Sequence, residues 1–174
     1  MTAPMTGGRR RIDRVLAEDF LADLDTTDLD TLRALRKDAE QEEVDLSYVR
    51  RLIQGKIDIA DAERHRRFNG GEGSIIDQLA RILADDNPST KGSGRYLSAE
   101  PSRVDEHRRV VERIVSDART SDVSTLTDEQ LEGVIRVLRQ HEQRVSDLRL
   151  QVQKIVDAIG SEIGQRMAAA DTSI

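Results

Sequence analysis

Between Asp28 and Phe68 apolar residues return every three or four positions, at Leu32, Leu35, Ala39, Leu46, Val49, Ile53 and Ile57. That is the period of one face of a helix. A helix over this stretch is about 60 Å long, which is unusual in a small globule and ordinary in a coiled coil. The same period runs from about Asp128 to Met167, through Leu131, Val134, Leu138, Val145, Leu148, Val152 and Val156. A shorter run, Val15, Leu16, Phe20 and Leu24, suits one helix ending near Asp25. Thr26, Thr27 and Asp28 offer N-cap chemistry for the first long helix, and Thr127 and Gln130 have capping-box spacing before the second.

The expected architecture is therefore all-α, with two long helices forming an antiparallel coiled coil beside shorter accessory helices. Along the chain it reads as a disordered tail over 1–11, a short helix over 12–26 and a first long helix over 27–69. A linker with short helices follows over 70–126, then a second long helix over 127–168 and a disordered end over 169–174. Within the linker, Gly70 to Gly73 is a helix stop rather than a phosphate-binding loop. Ser74 to Asp86 is amphipathic, Asn87 to Pro101 reads as a flexible connection, and helical spacing returns near Arg103.

Composition agrees with thin helical packing. Of 174 residues, 37% are hydrophobic and 34% charged, with two Phe, two Tyr and no Trp, so pairwise helix contacts are favoured over a thick layered core. Cysteine is absent, which excludes a disulfide framework and a thiolate zinc site. No run approaches eighteen apolar residues, and no apolar stretch backs the N-terminal arginines, so the expectation is a cytoplasmic protein without a membrane span. A net charge of −6 argues against general nucleic-acid binding, and no direct DNA binding is expected.

The two long helices superimpose when 99 is added to each number of the first. All seven apolar positions of the first stripe then fall on apolar positions of the second: Leu32 on Leu131, Leu35 on Val134, and so on to Ile57 on Val156. Two amphipathic helices can share that much by chance. The polar positions are more specific: Glu43 falls on Glu142, Ser47 on Ser146, Arg50 on Arg149, Gln54 on Gln153 and Asp58 on Asp157, identical at all five. The residues between them differ, as with Tyr48 and Asp147 or Gly55 and Lys154. Such a pattern indicates a duplication or one demand placed on both helices.

The five side chains of each copy lie within an arc of about 80° and span about 22 Å of helix axis. They border the apolar stripe, so in an antiparallel pair two equivalent polar lines would flank one groove, with Glu43 near Asp157 and Asp58 near Glu142. Salt-bridged coiled-coil flanks would account for the charges alone. They leave Ser47, Ser146, Gln54 and Gln153 unexplained, since neither residue type adds to an ion-pair ladder. The set suits a guanine nucleotide. A carboxylate can take the N1–H and N2–H₂ edge of guanine, arginine can fork onto O6 and N7 or onto phosphate, and serine can reach phosphate oxygens. A twofold pair of such lines suits a twofold ligand such as cyclic di-GMP.

The duplicated pattern E-x3-S-x2-R-x3-Q-x3-D resembles the RsiG family, cyclic di-GMP-dependent anti-sigma factors of sporulating actinobacteria. It matches at all ten positions, and the helices that carry it make up about half the chain. The resemblance implies that Glu43, Ser47, Arg50, Gln54, Asp58, Glu142, Ser146, Arg149, Gln153 and Asp157 bind a cyclic di-GMP dimer, two molecules per chain, in the groove of the coiled coil. It further implies that the loaded protein, as a monomer in a 1:1 complex, sequesters a WhiG-like sporulation sigma factor from RNA polymerase. The alternative is a ligand-independent coiled-coil scaffold or adaptor. An enzyme acting on cyclic di-GMP is not expected, because neither a metal cluster nor a general base poised over phosphate can be read here.

Three further features carry expectations. Arg9, Arg10 and Arg11 read as a solubilising tail, with docking as the alternative, and Glu63-Arg64-His65-Arg66-Arg67 as a solvated helix end whose basic residues suit the dipole, with contact to ligand phosphate or a sigma factor as the alternative. Asp13, Glu18, Asp19, Asp23, Asp25, Asp28 and Asp30 form an acidic stretch, read as a solvated face with a basic sigma-factor surface as the functional alternative. His65, His107 and His141 lack metal-ligand spacing.

Overall fold

The computed structural model describes residues 4–69, 100–102, 109, 111–114 and 123–172. The expectations for Gly70 to Gly73, Ser74 to Asp86, Asn87 to Ala99 and His107 lie outside the described residues. The described elements are α1 (Arg11–Val15), a 3-10 turn (Glu18–Leu21), α2 (Leu29–Phe68), a second 3-10 turn (Val123–Thr125) and α3 (Asp128–Thr172). Residues 111–114 are also helical. There are no strands among the described residues, and α2 and α3 pack as an antiparallel pair. None of the described helices is long and apolar enough to cross a membrane.

Both long helices begin where their caps dictate. Asp28 Oδ1 accepts from the Thr31 amide at 2.9 Å and the Asp30 amide at 3.1 Å, while the Thr31 hydroxyl donates to Oδ2. These bonds, the Thr31 hydroxyl first, hold the Asp28 carboxyl below its usual range. At α3, the Thr127 amide donates to Gln130 Oε1 at 2.9 Å and the Gln130 amide to Thr127 Oγ1 at 3.2 Å, a reciprocal capping box. Thr127→Ala should cost about 1 kcal/mol, read as a lower urea midpoint at unchanged slope.

The chain divides into two compact units, and α2 and α3 each run through both. In the first, Leu32 of α2 packs on Ile159 and Ile163 of α3, with Phe20, Leu21, Leu24, Leu29, Leu35 and Ile155 around them. Arg166 bonds to Glu162 on its own helix and reaches the carbonyls of Leu24 and Thr27, so α3 holds the turn that leads into α2. The short helix expected over 12–26 is in fact two pieces, α1 and the 3-10 turn. Residues 4–10, expected to be a disordered tail, fold back. Gly7 takes φ 71°, and the Met5 amide donates to Asp13 at 2.9 Å. Arg10 clasps Asp13, and Arg11 reaches Asp45 at 3.0 Å, so neither belongs to a free tail. Asp13 belongs to no solvated face either, being 4% exposed. Asp45 is also buried and accepts from the backbone amide and hydroxyl of Ser102. At its other end α3 continues to Thr172, past the expected limit of 168.

In the second unit Ala60 of α2 packs on Leu131 and Ile135 of α3, with Val123 and Leu126 alongside. Glu63 is fully buried, with Arg66 and Arg67 on its two oxygens at 2.7–2.8 Å. Arg67 continues to the carbonyls of Leu126 and Val123 at 2.7 and 2.9 Å and to Asp128 at 2.8 Å. The basic run closing α2 is therefore a clamp on the start of α3 rather than a solvated end.

Two carboxylates tie this fold to pH. The Arg66 guanidinium, opposed by burial and assisted by Arg67, holds Glu63 at about 2 against an ordinary 4.5. Arg10, again against burial and with the Met5 and Arg10 amides helping, holds Asp13 at about 2 against 3.8. Lowered folded-state values mean that the unfolded chain takes up these protons first. Their stabilisation is complete above about pH 4.5 and is lost as pH falls toward about 2. Thermal melts should fall in Tm across that window, with the fall reduced in Glu63→Gln.

Candidate functional site

The expected apolar stripes form the seam. All seven α3 positions are buried, and on α2 Leu32, Ala39, Leu46, Val49 and Ile53 are buried while Leu35 and Ile57 are half-buried. Because the polar motif sits on the flank of this seam, its side chains fall at intermediate depth. Glu43 is buried, Asp157 is exposed and the other eight are half-buried. This depth leaves charged groups addressable from solvent while thinning the water that would screen them.

In each unit the arginine of one copy meets the glutamate of the other. In the second unit Arg50 Nε donates to Glu142 Oε1 at 2.9 Å, and Gln54 Nε2 donates to the same oxygen at 3.3 Å. In the first unit Arg149 Nη1 donates to Glu43 Oε1 at 3.4 Å. Adding 99 to Arg50 and subtracting it from Glu142 turns one pair of positions into the other, so each unit holds one Arg–Glu pair between the two copies. Of the ten expected site residues, these five are joined by direct bonds: Glu43 with Arg149, and Arg50 and Gln54 with Glu142. Ser47, Asp58, Ser146, Gln153 and Asp157 share the same helix flanks by register.

The sequence reading missed the neighbours of this line. Glu42 and Asp45 are buried beside Glu43, and Arg11 stands 3.9 Å from Glu42 and 3.0 Å from Asp45. Neither carboxylate lies on the apolar stripe or in the motif, so periodicity gives no reason to expect either one buried. Arg11, returning from 34 positions away, brings a cation to Asp45, and Ser102 adds a backbone and a hydroxyl donor. Among the described residues no group of three His, Cys, Asp or Glu could hold a metal ion.

The RsiG-like family model matches residues 18–83 and 117–174, well over half the chain, and both motif copies lie inside the match. The chain belongs to the RsiG-like family. Membership points to an anti-sigma role, and hence to a regulator with a sigma factor as partner rather than to an enzyme. No curated protein matches the chain.

Proposed function

We propose that this protein is a cyclic di-GMP-armed anti-sigma factor. A dimer of the ligand would bind along the duplicated motif, and the loaded protein would hold a WhiG-like sporulation sigma factor away from RNA polymerase. The observation that carries this reading is that the five motif positions, serine and glutamine included, recur identically on both helices inside the RsiG-like match, which ion-pairing alone does not require. Each arginine is already drawn toward the motif line by a carboxylate, so little ordering remains to be done on binding. Two cyclic di-GMP molecules bring four phosphate charges to a protein of net charge −6. Binding therefore requires an exchange of partners. Arg50 and Arg149 turn to phosphate or to guanine O6 and N7, while a carboxylate takes the guanine N1–H and N2–H₂ edge. A ligand dimer that stacks its own bases needs few aromatic residues, which suits a chain with two Phe, two Tyr and no Trp.

Such a ligand favours whichever helix arrangement it binds best and so shifts the population toward a sigma-binding form. Isothermal titration of the full chain with cyclic di-GMP should give about two ligands per chain. Pull-down of the sigma factor should then depend on the ligand. Absence of binding by calorimetry and by equilibrium dialysis would leave the scaffold reading in its place.

A further inference from the structure

The two copies contain the same residue types, yet their arginines are held differently. Arg50 donates from Nε to Glu142 at 2.9 Å, and Gln54 adds a second donor to that oxygen. Arg149 reaches Glu43 only through Nη1, at 3.4 Å, and its Nε is buried with no acceptor. The less well matched pair is also the deeper one. The Arg149 and Glu43 side chains are 27% and 4% exposed, against 36% and 20% for Arg50 and Glu142. A buried N–H without an acceptor is a standing cost that an incoming acceptor removes. A loosely matched pair at low exposure recovers little of its desolvation cost. Arg149 therefore gains from an anionic oxygen, whereas Arg50 must first give up a well-made bond.

We infer that the two copies fill in order, with an anionic oxygen of cyclic di-GMP engaging Arg149 first and Arg50 only after Glu142 releases it. This rests on the cyclic di-GMP reading above. It adds that chemically identical copies are unequal, with Glu142 and Gln54 setting the later step. The sequence alone makes the copies equivalent; only the geometry of the two pairs separates them.

Arginine Nε–H signals of the full-length ¹⁵N-labelled chain report the two sites separately, assigned by their loss in Arg50→Lys and Arg149→Lys. In a titration with cyclic di-GMP the Arg149 signal should reach half of its change at about tenfold lower ligand than the Arg50 signal. In Glu142→Gln the two midpoints should converge, because a neutral amide holds Arg50 less tightly than a carboxylate does. Should that variant lose binding, Gln54→Ala removes the second donor to Glu142 with the carboxylate kept, and should narrow the same gap. Parallel changes in the wild type, Arg50 leading, or a gap unaltered by releasing Arg50 would overturn the order. Calorimetry on the same samples distinguishes the failures. Binding heat with parallel signals removes the order alone, while neither heat nor signal change removes the cyclic di-GMP reading along with it.

Discussion

The double replacement Arg50→Ala with Arg149→Ala should weaken cyclic di-GMP binding by roughly 100-fold or more while leaving the far-ultraviolet helix signal near wild type. A charge-assisted hydrogen bond contributes about 1.5–3 kcal/mol, so losing one from each copy removes about 3–6 kcal/mol, and each single variant accounts for part of it. Helix content is expected to persist because the seam is built from buried aliphatic positions, Leu46, Val49 and Ile53 on α2 and Val145, Leu148 and Val152 on α3, which these changes do not touch. Alanine is also a strong helix former. Calorimetry and circular dichroism on one preparation separate the two effects. Wild-type affinity in the double variant would remove the motif assignment. Asp58→Ala and Asp157→Ala address the base rather than the charge, and should narrow the preference for cyclic di-GMP over cyclic di-AMP in competition binding.

What could be read from sequence was what repeats along one helix. The seam was legible because a buried stripe must recur every 3.6 residues, and every α3 position assigned to it is buried. The motif's pattern stands out because its polar residues recur in register with that stripe, and its role as a ligand site is the proposal made above. Contacts that bring separate segments together were not legible. Arg67 looks like any residue of a basic helix end until Val123, Ser124 and Leu126 present carbonyls to it. Arg10 and Arg11 look like a tail until Asp13 and Asp45 are found buried beneath them. Such contacts depend on where loops return, and spacing within one segment carries no record of that. The inequality of the two copies belongs to the same class, since it lies in a half-ångström difference between pairs of identical residue types.

Glu63→Ala should lower unfolding free energy by about 2 kcal/mol, below the 3–5 kcal/mol seen when one partner of a fully buried pair is removed. The reduction follows from exposure. Glu63 is buried, but Arg66 and Arg67 remain 29% and 20% exposed and can recover some hydration once the carboxylate is gone. The loss is not confined to the pair. Arg67 also holds the carbonyls of Val123 and Leu126 just before α3 begins, and Glu63 is what fixes its guanidinium in place. A side chain freed from that anchor must be ordered again to make the same bonds, at a cost in rotamer entropy. The comparison variant is Glu40→Ala, which breaks an exposed i,i+4 pair with Arg36 on the same helix. Exposed pairs of that kind contribute about 0.3–0.5 kcal/mol, so its urea midpoint should barely move. Equal shifts in the two variants would mean that the clamp contributes no more than a surface ion pair, and that the start of α3 is held by Ala60, Leu131 and Ile135 and by the Thr127 cap alone.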